Sequence, residues 1–140
     1  MEVKLRRTIK KACDNPQAVA EVMRAILTAE CEVDQAKEHF WVLGLNTRNN
    51  VQYIELVSLG TLTASLVHPR EVFRFAIIKA VSGIILAHNH PSGMVDPSDD
   101  DVALTRRLCD AGRLLGISVL DHVIVSTPGM FISFKERGLM

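Results

Sequence analysis

Cysteine is scarce in this sequence, and the spacing of the few cysteines excludes two kinds of small domain. Cys13, Cys31 and Cys109 are odd in number and contain no C-x-x-C pair. A disulfide framework needs an even set of cysteines, and a zinc knuckle needs close pairs. We therefore expect free thiols, as in a reducing compartment.

Long apolar runs are also missing. No segment approaches the ~20 apolar residues of a transmembrane helix. The N-terminus is basic, but the apolar run of a signal peptide does not follow it. With the free thiols, these absences favour a soluble cytoplasmic protein.

Net charge is the third feature that the chain lacks. Lys and Arg number 16, Asp and Glu number 16, and the formal net charge is zero. General binding to nucleic acid needs a basic surface. We therefore expect no strong general nucleic-acid binding, although a local basic patch remains compatible with the composition.

The first 14 residues are expected to form a polar arm. Five basic residues lie there: Lys4, Arg6, Arg7, Lys10 and Lys11. Such a stretch is typical of a solvated arm or a short helix, and the alternative is a tail that binds a partner.

Residues 15–140 are predicted to form a single domain with a real core, since 48% of the 140 residues are apolar. Strands and helices mix without strict alternation. The pattern predicts three helices. They begin at Asn15-Pro16, at His68-Pro69 and at Ser98, and the second and third extend to about Lys79 and to Gly116. It also predicts strands at 40–45, at 51–59, at 61–67, from Ile84, at 117–125 and at 130–134.

The stretch from Ile84 to Leu108 contains the strongest chemical signal. An apolar strand ends in His88-Asn89-His90, and residues two apart on a strand point to the same side. A turn follows, and a helix opens with Asp101 in its first turn. Two imidazoles and one carboxylate can bind zinc and leave a fourth position for water.

Part of this pattern has a second explanation. Ser98 followed by Asp101 resembles a capping box, and acidic residues in a first helical turn suit the helix dipole. The histidine pair has no such alternative, because buried imidazoles without partners are costly. The metal interpretation therefore depends on His88 and His90.

The motif HNHPSG, followed by PS and then D, resembles the JAMM signature of the MPN/JAB metalloprotease superfamily, and more closely the RadC family. The resemblance extends from about Asn15 to the end. Further matching segments are Phe40-Trp41-Val42-Leu43, Leu45-Asn46-Thr47, Gly60-Thr61-Leu62, His68-Pro69-Arg70-Glu71 and Leu120-Asp121-His122-Val123-Ile124.

The resemblance implies an α/β fold of the MPN (JAB) type, with a mixed, curved β-sheet flanked by helices in a three-layer architecture like that of cytidine deaminase. It implies one zinc ion per chain, bound by His88, His90 and Asp101. It also implies two catalytic groups, Glu38 as the general base and Ser98 as a hydrogen-bond donor to the oxyanion. Spacing alone does not identify Glu38, because the sequence has no HExxH motif.

Asp121 and His122 are adjacent on a predicted strand, so they point to opposite faces and cannot both line the site. One of them is expected to support the zinc ligands, and the residues leave open which one.

These features predict a zinc-dependent hydrolase that cleaves peptide or isopeptide bonds of an unknown peptide or protein substrate. The alternatives are a metal-binding module without turnover and a DNA-repair-associated RadC-like protein. RadC proteins often carry a helix-hairpin-helix domain before this region, and we expect none in so short a chain. A zinc deaminase is disfavoured because its H-x-E and P-C-x-x-C ligands are absent.

Overall fold

The computed structural model describes residues 2–3, 13–60, 67–126 and 129–140. Within these ranges, one mixed sheet has six strands: β1 (Glu2–Val3), β2 (Glu38–Leu45), β3 (Val51–Gly60), β4 (Gly83–Asn89), β5 (Ser118–Val125) and β6 (Phe131–Ser133). The strand order is β1-β3-β2-β4-β5-β6. β4 and β5 are parallel, and every other neighbouring pair is antiparallel.

Helices cover both faces of the sheet. The helices are α1 (Pro16–Thr28), α2 (Glu32–Gln35), α3 (Pro69–Val72), α4 (Arg74–Ile78) and α5 (Asp99–Leu115). One apolar cluster packs α1 on a face that includes Trp41 and Ala87. A second cluster packs α3, α4 and α5 on the opposite face. This arrangement confirms the predicted α/β fold and is consistent with the MPN/JAB type.

β4 and α5 position the candidate site. All seven residues of β4 are buried, because β2 and β5 flank the strand and helices cover both of its faces. The crossover from β4 to the parallel strand β5 runs through α5. The helix begins at its N-cap Ser98 and ends at Gly116, whose φ of 73° suits glycine. The start of α5 therefore lies over the end of β4.

The hairpin of β2 and β3 and helices α1 and α5 form where the sequence predicts them. The helix predicted from His68 to about Lys79 is instead divided into α3 and α4 at Phe73, whose ψ of −5° departs from helical geometry. The break lets both Phe73 and Ala76 pack in the core. The short helix α2 was not predicted, since it buries no side chain and has no apolar periodicity.

Of residues 1–14, the structure describes Glu2, Val3, Cys13 and Asp14. Glu2 and Val3 pair with Glu55 and Ile54 of β3. Cys13 is buried, and its backbone N–H donates to the Asn49 carbonyl oxygen. The basic residues between Lys4 and Lys11, most of the predicted strand at 61–67, and Pro128 of the predicted turn lie outside the described residues. In the described part of the chain, no helix is long and apolar enough to cross a membrane.

Candidate metal centre

Three potential metal ligands converge where β4 ends and α5 begins. The Nε2 atoms of His88 and His90 are 2.9 Å apart. The Oδ1 atom of Asp101 lies 3.6 Å from Nε2 of His88, and its Oδ2 atom lies 3.5 Å from Nε2 of His90. His88 and Asp101 are buried, and His90 is partly exposed. The sequence-predicted ligands are therefore together, and this group could hold a metal ion.

A chain of hydrogen bonds behind His88 fixes which of its nitrogens faces the other ligands. The Thr105 hydroxyl donates to the Asp101 carbonyl oxygen at 2.7 Å. Its oxygen is 2.6 Å from Nδ1 of His122, which must then supply the proton. In neutral His122 this leaves Nε2 as an acceptor, 2.7 Å from Nδ1 of His88. Nδ1 of His88 is thus the protonated nitrogen, and its Nε2 lone pair is free.

A hydrogen bond to the main chain gives His90 the same tautomer, with the proton on Nδ1. Its Nδ1 lies 2.8 Å from the Met94 carbonyl oxygen, which can only accept a hydrogen bond. When the ring is neutral, Nε2 therefore carries a lone pair and no proton. Two bare nitrogens and a carboxylate that face one another repel unless a cation lies between them. This donor set fits a divalent metal such as zinc.

Burial and the facing charges set the protonation of these groups. Burial lowers the pKa of His88 and holds the pKa of His122 well below its usual value, so both rings are neutral. The Asp101 carboxylate raises the pKa of His90. Burial opposes ionisation of Asp101, but the facing histidines and the Ser98 N–H outweigh it, so the pKa of Asp101 lies well below its usual range. The site therefore contains an anionic carboxylate, a neutral His88 ring, and a His90 ring whose protonated form the Asp101 carboxylate favours.

The capping box and the ligand role of Asp101 coexist. Ser98 Oγ accepts the Asp101 N–H at 3.1 Å, and Asp101 Oδ2 accepts the Ser98 N–H at 2.9 Å. The cap holds the carboxylate in an orientation in which both of its oxygens face the histidines. The two interpretations of this motif are therefore compatible, and the cap fixes the carboxylate at the centre.

Aromatic rings enclose the buried histidines. Phe40 stacks on His88 with ring centroids 6.0 Å apart, and its edge meets His122. Phe134 stacks on the other side of His122 at 4.4 Å. Between these apolar walls, His88 and His122 are fully buried.

Glu38 begins the strand next to β4, on the face of the sheet that carries His88. It is the first residue of β2, which runs antiparallel to β4 with Phe40 opposite His88. Glu38 is two residues before Phe40, so its side chain leaves the sheet on the same face, toward the histidines. Burial lowers the pKa of His88 and Asp101 raises that of His90; the negative charge of Glu38 is a minor influence that opposes the first shift and adds to the second.

His122 and Asp121 have separate functions. His122 supports the ligand His88 through the contact described above. Asp121 accepts hydrogen bonds from the Ser133 hydroxyl and the Lys135 N–H, at 2.6 and 3.1 Å, and so fixes the segment after β6. Of the two residues, the structure thus places His122 in contact with a candidate ligand. Sequence reasoning missed Thr105, because a threonine inside an amphipathic helix gives no sign of its partner on a neighbouring strand.

Two cavities lie on the α1 side of the molecule, and one of them borders the ligands. A cavity of about 280 Å³ is lined by His90, Asn89, Pro91 and Ser126, and by Leu27, Glu32, Gln35 and Ala36 of the α1–α2 segment. The larger cavity, of about 520 Å³, is lined by Cys13 and Asp121 and by none of the ligands. Burial raises the pKa of the Cys13 thiol to about 11, so this thiol is not a reactive nucleophile.

The family model of the RadC-like JAB domain matches residues 13–139. The UPF0758 protein of Symbiobacterium thermophilum is 52% identical over 126 residues, which cover 90% of this chain and 51% of the relative. A UPF0758 protein of Caldanaerobacter subterraneus is 55% identical over 103 residues, 74% of this chain and 44% of the relative. One of Methanococcoides burtonii is 50% identical over 102 residues, with 73% and 44% covered. The chain thus spans about half the length of these curated relatives.

Proposed function

We propose, on the premise that this chain belongs to the RadC-like JAB domain family, that it is a zinc-dependent hydrolase of peptide or isopeptide bonds. The observation that carries the proposal is the set of three facing ligand atoms on His88, His90 and Asp101. The Nδ1–H of each histidine donates a hydrogen bond, which leaves Nε2 free to bind a metal. No protein group needs to move far to complete such a site.

Zinc at this position would lower the pKa of a bound water and polarise the carbonyl of the scissile bond. Three protein ligands leave a coordination position open, which a catalytic site requires. The Phe40 ring, the Thr105–His122 pair and the capping box hold the proposed ligands in place.

Glu38 is the proposed general base. It is partly exposed, it stands on the face of the sheet that carries His88, and it does not belong to the ligand group. In this position its carboxylate would take a proton from the attacking water and deliver it to the leaving amine. A positioned acid–base group contributes roughly 10²–10⁴ in rate.

Ser98 is the proposed donor to the oxyanion. Its Oγ accepts the Asp101 N–H, which leaves the hydroxyl proton available for a second partner. The residue is exposed at the N-terminal end of α5, where the helix dipole favours negative charge. The cap and the oxyanion contact can therefore be made together.

A paired measurement tests the proposal on the purified chain. Zinc content by elemental analysis is compared with hydrolysis of a peptide library for the wild type, Glu38→Gln and Asp101→Asn. We expect about one zinc per chain in the wild type. Glu38→Gln should keep zinc and fold and lose roughly 10²–10⁴ in rate, whereas Asp101→Asn should lose zinc.

The contrary outcomes separate the alternatives. Absence of zinc after reconstitution would refute the metal centre. Zinc without cleavage of any peptide or isopeptide would favour the metal-binding module without turnover. If Glu38→Gln released zinc, Glu38 would be a ligand. If the variant kept full activity, another group would be the base.

A further inference from the structure

We infer that Asn89, between the two histidine ligands, is a positioning residue that holds Glu38 at the metal centre. The inference rests on the proposed function, because it assigns a partner to the proposed general base. Asn89 is on the opposite face of β4 from His88, so it does not contact the reacting atoms. Its amide acts on the main chain on both sides of Glu38.

Two hydrogen bonds make this connection. Asn89 Oδ1 accepts the His39 backbone N–H at 2.6 Å, and Asn89 Nδ2 donates to the Lys37 carbonyl oxygen at 3.0 Å. One partner can only donate and the other can only accept, so the amide has a single allowed orientation. The residue between those two partners is Glu38. Asn89 is 2% exposed, so water does not compete for these bonds.

The regular sheet ends where this contact begins. The pairing of β2 with β4 stops at Phe40 and His88, although the register would next bring His39 opposite Asn89. The chain has by then turned toward β5, because the His90 N–H donates to the Val125 carbonyl oxygen. The Asn89 side chain thus bonds to the end of β2 in place of the missing backbone ladder.

The bond from the His39 N–H to Asn89 holds a residue whose ring stacks on Trp41, with ring centroids 5.0 Å apart. The rings of His39 and Trp41 both point to the α1 face. Because neighbouring residues on a strand alternate, Glu38 points to the opposite face, where His88 lies. Without the Asn89 amide, this segment would keep its pairing with β3 and the contact of His39 Nδ1 with the Lys37 carbonyl oxygen, and would lose the two hydrogen bonds to β4 described above. The Glu38 carboxylate would then sample a wider range of positions. A misplacement of about 1 Å in a catalytic group can cost ~10²-fold in rate.

Three variants test the inference. Asn89→Ala removes both bonds. Asn89→Asp keeps the acceptor for the His39 N–H and loses the donor to Lys37. The control is Asn46→Ala, at the other end of β2. The Asn46 side chain also makes two hydrogen bonds to the main chain, accepting from the N–H groups of Arg48 and Asn50 at 2.9 and 3.0 Å. The control should disturb the β2–β3 turn and leave Glu38 in place.

The first readout needs no activity. In the full chain loaded with Co²⁺ in place of zinc, NMR measures the paramagnetic shift of the Glu38 side chain and the hydrogen exchange of the His39 amide. We expect Asn89→Ala to reduce the Glu38 shift and to speed His39 exchange at least tenfold, with metal stoichiometry unchanged. Asn89→Asp should have a smaller effect, and Asn46→Ala should match the wild type in both.

The second readout is the kinetics of the loaded protein. Asn89→Ala should lower kcat by about 10–10²-fold with little change in KM, because the defect lies in the geometry of the base. The double variant with Glu38→Gln should be no slower than Glu38→Gln alone, since a group that is absent cannot be mispositioned.

The outcomes distinguish this inference from the proposed function. If the wild type bound no metal, both would be refuted. If the wild type bound metal and Asn89→Ala left the Glu38 shift and His39 exchange unchanged, the inference alone would fail. If Asn89→Ala released the metal, Asn89 would support the ligands instead of Glu38. This result would also overturn the inference.

Discussion

The hydroxyl proton of Thr105 determines which nitrogen of His88 is available to a metal. Its donation to the Asp101 carbonyl oxygen forces His122 to present a bare Nε2 to His88. The same threonine therefore connects two of the three ligand residues, one through its backbone and the other through an imidazole. The availability of the His88 Nε2 atom thus depends on a residue outside the candidate ligand set.

The Thr105→Val substitution tests this residue at nearly constant volume. It leaves the buried Nδ1–H of His122 without an acceptor, which should lower the free energy of unfolding by about 1–3 kcal/mol. Because the orientation of His88 is then less fixed, zinc affinity should fall by roughly 10–100-fold. A competition titration against a chelator measures the affinity, and chemical denaturation measures the stability.

The matched control is Thr28→Val, because the Thr28 hydroxyl also donates to the carbonyl oxygen four residues earlier but is exposed. Its zinc affinity should equal that of the wild type. Equal affinity in Thr105→Val would contradict the proposed control of the His88 tautomer.

Among the elements, α5 was predicted from the sequence nearly to the residue, because both of its ends carry local signals. Ser98 and Asp101 form the capping box, and Gly116 takes the left-handed conformation. The division of α3 from α4 could not be predicted, since it depends on how Phe73 and Ala76 meet the sheet. His122 and Asn89 were visible in the sequence, but their partners lie 34 and 50 or more residues away.

The position of α5 on the sheet is set by a close approach at Gly112. A Cβ atom at this position would lie 2.4 Å from the Ile117 carbonyl oxygen and 3.3 Å from the Phe73 ring. Helix propensity alone predicts that Gly112→Ala stabilises the protein by about 1 kcal/mol. The contact predicts the opposite, because the helix must move away from the sheet, at a cost of about 1–3 kcal/mol.

We therefore expect Gly112→Ala to lower the denaturation midpoint and to weaken zinc binding, since Asp101 moves with α5. Thermal or chemical unfolding directly shows whether the variant is more or less stable than the wild type. A stabilised variant with unchanged zinc affinity would mean that α5 can bend locally and that its C-terminal half does not set the position of Asp101.

At the scale of the whole molecule, topology brings the candidate ligands and Glu38 to one end of the central strands. β4 and β5 are parallel and end there, and α5 begins above them. The antiparallel strand β2 starts at the same end, with Glu38. In open α/β sheets, sites form outside the carboxyl ends of the strands. A base at the start of an antiparallel neighbour is compatible with that rule, which explains why spacing in the sequence did not identify Glu38.

The whole chain is also expected to bind nucleic acid weakly. Its 16 basic and 16 acidic residues cancel, so few counterions would be released on contact with a duplex. We expect no binding of a labelled DNA duplex at low micromolar protein, measured by fluorescence anisotropy at physiological salt, and a shallow dependence on salt. Tight binding that weakens by ~10³-fold or more between 50 and 200 mM salt would contradict this expectation and favour the DNA-associated alternative. Replacement of Lys4, Arg6, Arg7, Lys10 and Lys11 by glutamine would then distinguish a local basic patch, which should lose the binding, from a contact elsewhere on the domain, which should retain it.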